Sequence, residues 1–190
     1  MSPRSGLNFS TVFQKAVEIV EHNGINGLTM GILAKELNIK TPSLYNHVSG
    51  ILEIQQKIAF YSLEKMHTAM RQASNKSNEV DDKIIFVGKA YLNYARQNPG
   101  LYEATFLPNV QDNKEVQKVS EQIVQICVEL LHPFHLESSD TIHAVRGFRS
   151  FLHGFATIEK SGGFAIQLGH EESIEAILQI FMEGLKERAK

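Results

Sequence analysis

Apolar residues recur at helical spacing along most of this chain, and no segment alternates strictly between apolar and polar positions. The pattern therefore predicts an all-α protein. The first helix is expected to end at Asn23-Gly24, and two short helices over 29–36 and 41–47 and a longer one over 52–73 follow. The apolar stripe of the first helix comprises Phe9, Val12, Phe13, Ala16, Val17 and Val20.

Residues 74–79 are rich in Ser and Asn and predict a loop that separates two parts of the chain. Beyond the loop, Asn98-Pro99-Gly100 interrupts the helical pattern, because proline disfavours helix at the residue before it. The helices predicted in this second part cover 82–97, 101–106, 114–131, 139–158 and 171–188.

The last two predicted helices carry more apolar positions than one stripe requires, which indicates contact with two surfaces. Gly147 and Gly154 would let another helix approach closely. We therefore expect these helices to form a homodimer interface. Its predicted residues are Ile142, Val145, Phe155, Ile174, Ile177, Leu178, Phe181 and Leu185.

Composition and charge limit the class of protein. The 190 residues are 43% hydrophobic, enough for a substantial core, and the formal net charge of -2 neither requires nor excludes a polyanionic partner. The single cysteine, Cys127, has apolar neighbours and cannot form an intrachain disulfide. No apolar run approaches the roughly 18 to 20 residues that span a membrane, so we expect a cytoplasmic protein.

Residues 28–48 have the pattern of a helix-turn-helix. Two short amphipathic segments surround Asn38, which tolerates the left-handed backbone of a tight turn. Thr41-Pro42 predicts the start of the second helix, with Thr41 as N-cap and Pro42 as the first helical residue. Helices this short are marginal alone, so each must be stabilised by packing on the other.

The outer face of the second helix is polar, which favours DNA recognition, since this helix enters the major groove in such motifs. Ser43 and Asn46 are predicted to read bases, whereas Tyr45 and His47 are predicted to bind phosphates. The full predicted DNA-binding set is Thr29, Lys40, Thr41, Pro42, Ser43, Tyr45, Asn46 and His47. Arg4, in the N-terminal arm, would add a contact. The alternative is that this face is polar only because it is solvated.

The sequence resembles the TetR family of bacterial transcriptional regulators, in the branch with a WHG-type C-terminal domain. The resemblance covers roughly residues 1–55 closely, and continues through Asn98–Tyr102 and Arg149–Phe155. It implies an all-helical dimer with a small-molecule pocket in each C-terminal domain. In the N-terminal part the matching residues are Leu28-Thr29-Met30, Leu33-Ala34, Ile39, Leu44-Tyr45 and His47-Val48.

One position departs from the family. Its members usually carry a lysine at the start of the helix after the reader, whereas this chain has Ile51. A phosphate contact would then be missing, and we expect operator binding to depend weakly on salt, since that dependence follows the number of neutralised phosphates.

These observations predict three regions with different functions. Residues 1–50 form a helix-turn-helix DNA-binding domain, 51–73 a connecting helix, and 80–190 a ligand-binding and dimerisation domain. The predicted function is that of a transcriptional regulator, expected to be a repressor, that binds a palindromic operator as a dimer. A small ligand would release it from DNA.

The ligand is expected to be mainly apolar or aromatic, because aromatic side chains are frequent between residues 82 and 158. Ordinary core packing is the alternative explanation for each of them. The predicted ligand-binding residues are Phe86, Tyr91, Tyr94, Tyr102, Phe106, Phe148, Phe151 and His153.

Two other functions stay open on the sequence alone. The first is a helical metalloenzyme, which is suggested by His132, His135, His143 and His153. However, His143 and His153 are ten residues apart, which does not fit the i, i+4 spacing of ligands on one helix face. We predict no metal, cofactor or catalytic residue, since the chain has no Gly-rich phosphate loop, nucleophile elbow or CxxC. A protein-interaction module without DNA binding is the other alternative.

Overall fold

The computed structural model describes residues 7–166 and 168–189, and within them it contains helices and no strand. The predicted all-α class is confirmed. Short 3-10 helices lie at Ile25–Gly27, Pro108–Val110 and His132–Phe134. The α-helices are α1 (Phe9–Asn23), α2 (Met30–Glu36), α3 (Thr41–Leu44), α4 (Ile51–Ser74), α5 (Val80–Gln97), α6 (Pro99–Ala104), α7 (Lys114–Leu131), α8 (Ser138–Lys160) and α9 (His170–Arg188).

Two short helices differ from the predicted bounds. α6 begins at Pro99 rather than at 101, because proline fits the first helical position and the Tyr102 N–H donates to the Asn98 carbonyl at 2.8 Å. α3 ends at Leu44 rather than at 47, since the chain tightens into a turn in which the His47 N–H donates to the Leu44 carbonyl at 2.8 Å.

The contacts divide the chain into two compact units, which do not follow the predicted functional regions. One unit comprises the described part of Met1–Glu64 together with Asn98–Lys118, and the other comprises Lys65–Gln97 with the described part of Val119–Lys190. Residues 98–118 thus pack with the N-terminal helices, although they lie inside the predicted region 80–190. The functional boundaries stay a prediction.

The core of the N-terminal unit is built from α1, α2, α3, the first half of α4, and α6. Val12, Leu33, Leu44 and Leu101 are completely buried in it. The helices α1 and α6 approach most closely at Gly100, where a Cβ atom would lie 2.1 Å from the Val20 carbonyl oxygen. Only glycine fits this contact.

In the C-terminal unit α5 packs against both α8 and α9. A Cβ on Gly88 would lie 3.0 Å from Leu178 and 3.6 Å from Leu152, so the three helices meet closely at this point. Cys127 is 1% exposed, and burial raises the pKa of its thiol to about 11. The thiol is therefore protonated and inert at neutral pH.

An ion-pair network joins the same three helices. Arg96 on α5 donates to Glu159 on α8 at 2.7 Å, and His170 on α9 lies 2.6 Å from the same carboxylate. Burial would raise the pKa of Glu159, but hydrogen bonds from Arg96 and His170 hold it below its usual value.

In the described part of the chain, no helix is both long enough and apolar enough to cross a membrane.

Candidate nucleic-acid interface

The first helix of the motif, α2, is anchored at both ends. The Thr29 hydroxyl oxygen accepts a hydrogen bond from the Ile32 N–H at 3.1 Å and caps the helix N-terminus. Leu33 and Ala34 are buried on the inner side, and Leu37 is half-buried at the helix end. The small Ala34 lets α3 cross closely.

The turn between α2 and α3 depends on Asn38. Its φ of +54° lies in the left-handed region, which confirms the predicted role of this residue in reversing the chain. The next residue, Ile39, donates its N–H to the Ala34 carbonyl at 3.0 Å. The turn therefore closes α2 and sets the direction of α3.

The predicted start of α3 was wrong by one residue. Lys40 is the N-cap with extended backbone, Thr41 is the first helical residue and Pro42 the second, and no side chain caps the helix. Leu44 and Val48 are 0% and 3% exposed and attach the motif to the core. The helix is thus held by burial rather than by a cap.

The predicted DNA-binding residues of the second helix lie together on the surface of the motif. Lys40, Pro42, Tyr45 and Asn46 are exposed, and the Tyr45 side chain is 57% exposed. The half-buried members of the set are Thr41, Ser43 and His47.

Two other residues of this prediction stand apart. Thr29 is exposed, but its hydroxyl oxygen already accepts the Ile32 N–H, which leaves its hydroxyl proton for a phosphate. Arg4 lies outside the described residues. That these side chains contact DNA stays a prediction.

A residue that the sequence reasoning missed lies in the first turn of α4. The Glu53 carboxylate accepts hydrogen bonds from the Ser49 backbone N–H at 2.6 Å and from the Ser49 hydroxyl at 2.8 Å. A Ser followed by Glu at the start of a helical pattern is the signal that would have found it. Glu53 places a negative charge two residues after Ile51, and Ile51 is the position at which the family usually has a positively charged lysine.

The predicted ligand-binding residues do not converge on one described cavity. Phe86 and Tyr94 line a groove in the C-terminal unit, while Tyr102 and Phe106 form an edge-to-face pair in the N-terminal unit, with ring centroids 5.1 Å apart. Tyr91 is buried.

The remaining three predicted ligand-binding residues, Phe148, Phe151 and His153, lie on α8. Phe148 and Phe151 pack edge to face, and both contact Phe181 of α9, which indicates core packing. His153 is half-buried, and burial lowers the pKa of its imidazole. Within the described residues, no group of three or more His, Cys, Asp or Glu side chains is arranged to hold a metal ion.

The predicted dimer residues divide into exposed and buried groups. Ile142 is 52% exposed, and Ile177 and Phe181 are half-buried. The others are buried within the protomer and would support an interface rather than form its contact surface. These are Val145, Phe155, Ile174, Leu178 and Leu185.

Comparison with known proteins identifies the family. The family model described as "Tetracyclin repressor-like, C-terminal domain" matches residues 84–181. YobS, an uncharacterised HTH-type transcriptional regulator of Bacillus subtilis strain 168, is 36% identical over 186 residues, which cover 97% of this chain and 96% of YobS. The chain belongs to the TetR family. It is a helix-turn-helix transcriptional regulator and not an enzyme.

Solved structures share the fold. A protein of unknown function from Rhodococcus sp. RHA1 superimposes with a TM-score of 0.81 and 16% identity, covering 98% of this chain and 100% of that one. A TetR variant from Acinetobacter baumannii AYE, in complex with minocycline, gives a TM-score of 0.70 and 15% identity, covering 97% and 99%. At these identities the likeness concerns the fold alone.

Proposed function

We propose that this TetR-family protein is a repressor that binds a palindromic operator as a dimer and leaves it when a small, mainly apolar or aromatic ligand binds. The observation that carries the proposal is the exposed face of α3. Of the exposed side chains on this face, Pro42 lies in α3, Lys40 directly precedes the helix, and Tyr45 and Asn46 directly follow it. The Asn38 turn and the buried Leu44 set the position of this segment.

The chemistry of this face fits base and phosphate recognition. The N-terminal part of α3 would enter the major groove, where a lysine pairs with guanine and an asparagine with adenine. Lys40 and Asn46 supply these two groups. Lys35 and Lys40 have no ion pair among the described residues, so both ammonium groups are available to DNA. The Tyr45 hydroxyl would donate to a phosphate oxygen.

Dimerisation is supported by an exposed stripe on α8 and α9. On α8, Gly147, Gly154 and Ile158 follow one another at helical spacing, and Ile158 is 44% exposed. On α9, Ile180 is 69% exposed and Gly184 lies one turn further on. A Cβ on any of these glycines would meet no atom within 4 Å. Small residues beside exposed isoleucines suit close packing of helices from a second copy.

A charge in this stripe should separate the protomers. We expect Ile180→Asp to weaken dimer association at least about tenfold, because a buried unpaired carboxylate is costly. Sedimentation equilibrium measures the association constant. Gln179→Asp, the neighbouring exposed position outside the stripe, is the matched control and should leave the dimer unchanged. Ile180→Asp protein that remains dimeric would contradict the proposed interface.

Ligand release requires that the ligand bind better to a form of the dimer with unsuitable spacing of its two α3 helices. Operator half-sites lie about 34–36 Å apart. A modest change in the distance between the two α3 helices would therefore prevent one of them from contacting its half-site. Coupling energies of about 1–3 kcal/mol are typical of such systems. The minocycline complex of the Acinetobacter relative supports a small-molecule effector for this fold.

The function is tested by titrating the protein against the DNA upstream of its own gene. We expect one dimer per palindromic site, and a salt dependence shallower than that of about six to ten phosphate contacts. Dissociation of the protein from DNA on addition of an apolar or aromatic metabolite would support the proposed class of effector. Absence of binding at low salt would refute DNA recognition, and a sugar as the releasing ligand would refute the proposed effector class.

Glu53 should weaken operator binding by repelling phosphates near the start of α4. We expect Glu53→Gln to tighten binding about threefold, since two like charges about 4 Å apart in water repel by about 1 kcal/mol. The amide oxygen can still accept the Ser49 N–H, so the helix start is preserved. Glu21→Gln, on α1 outside the motif, is the control. Unchanged or weaker binding by Glu53→Gln would contradict this role.

A further inference from the structure

An open groove runs between the end of α4 and the part of α5 from Phe86 to Gln97, within the C-terminal unit. Its volume is about 400 Å³, inside the range of about 300–1,000 Å³ that is typical of small-molecule sites. The groove lies on the face of α5 away from the core. On that helix Ile84, Val87 and Leu92 face inward and are at most 1% exposed, whereas Phe86 and Ala90 line the groove.

The floor and one wall of the groove are apolar. Ala69 and Ala73 of α4 and Ala90 of α5 contribute only methyl groups to the lining. The half-buried ring of Phe86 stands beside them. A planar ring can lie on such a floor and contact the Phe86 ring, which favours an aromatic ligand.

The rim of the groove is polar and carries no acidic side chain. Three amides, from Gln72, Asn93 and Gln97, offer both donors and acceptors, and two lysines supply ammonium groups. Every residue that lines the groove is described by the structure, so the absence of a carboxylate applies to the whole lining.

The two lysines differ in their partners. Lys89 is bound to the Glu175 carboxylate of α9, with a Glu171 oxygen 3.9 Å away, so its charge is compensated. Lys76, just after the end of α4, is exposed and forms no ion pair with any described residue. The groove therefore holds one uncompensated positive charge, at one end of an apolar floor.

We infer that this groove binds an aromatic monocarboxylate. The ring lies on the alanine floor against Phe86, the carboxylate binds the Lys76 ammonium, and ring substituents meet the amides. A second negative charge would meet no further uncompensated cation in the lining, so a monocarboxylate matches the groove's charge. The inference rests on the proposed function, because it names the chemical class of the releasing ligand. Ligand binding is measured without operator DNA, so its failure would leave DNA recognition untouched.

Isothermal titration of the full chain with 2-naphthoate tests the site, with 2-naphthalenemethanol as a ligand of similar shape and no charge. The carboxylate should bind at least about tenfold more tightly than the alcohol, since an ionised acceptor makes the stronger hydrogen bond to an ammonium. Lys76→Gln should remove this preference and leave binding of the alcohol unchanged. Lys83→Gln, an α5 lysine outside the groove, is the matched control.

Ala90→Leu is the second variant, because its side chain would fill the floor and abolish binding of both ligands. Circular dichroism and thermal unfolding verify that it still folds, and Lys76→Gln changes only a surface side chain. Equal binding of the two ligands, binding that survives Ala90→Leu, or no binding of 2-naphthoate at millimolar concentration would each overturn the inference.

Discussion

Replacing Gly100 by alanine is expected to lower the free energy of unfolding by about 3 kcal/mol, at the upper end of the usual cost of overpacking. The new Cβ would lie 2.1 Å from the Val20 carbonyl oxygen, 3.1 Å from the Val20 carbonyl carbon and 3.2 Å from the Gly24 Cα. All three are backbone atoms, which cannot rotate away as a flexible side chain can. Relief requires α6 to move away from α1.

Urea unfolding followed by circular dichroism measures this loss. Gly31→Ala is the matched control, because Gly31 is an exposed helical glycine whose Cβ would have only the Thr29 hydroxyl at 4.0 Å. Alanine there should stabilise the protein by about 0.5–1 kcal/mol, since it removes the entropic cost of glycine in a helix. A Gly100→Ala protein as stable as the wild type would show that α6 does not pack on α1 in this way.

Leu44→Ala and Tyr45→Ala should separate the stability of the motif from its DNA contacts. Leu44 is completely buried, so its truncation removes apolar contacts and leaves a cavity at a cost of about 3 kcal/mol. Because α3 is only four residues long and has no side-chain cap, we expect the reader helix to lose its position and operator binding to be abolished. Tyr45 is 57% exposed, and its truncation should change stability by less than about 0.5 kcal/mol.

For Tyr45→Ala we expect operator binding about tenfold weaker, since the variant loses one phosphate contact and the ring surface beside it. Chemical unfolding and fluorescence anisotropy with labelled operator DNA give the two quantities for each variant. Normal DNA binding by Leu44→Ala would contradict the placement of α3. Normal binding by Tyr45→Ala would show that its exposed ring faces solvent and not DNA.

Much of the helix-turn-helix was predictable from the sequence, because its signals act over three or four residues. The Thr29 cap reaches Ile32, and the left-handed turn needs only Asn38 itself. The amphipathic pattern requires an apolar side on each helix, and Leu33 and Leu44 on those sides are completely buried. Both ends of α3 were predicted wrongly: Lys40 keeps the extended backbone that the sequence rules assign to Thr41, and the helix tightens into a turn after Leu44.

Other features depended on residues far apart in the chain. The sequence shows Asn98-Pro99-Gly100 only as a helix break, whereas the structure packs Gly100 against Val20, eighty positions earlier. The apolar residues of α8 and α9 look alike in sequence, yet Ile174 is buried and Ile180 is 69% exposed.

The sequence by itself therefore determined the all-helical class, the turn at Asn38 and the polar outer side of the motif, since turns and amphipathic spacing are local interactions. Only the tertiary structure decided which apolar faces remain free for a partner, why Gly100 admits no side chain, and where the α4–α5 groove lies. Each of these depends on the backbone path and the side-chain volume of a second helix, which no local pattern contains.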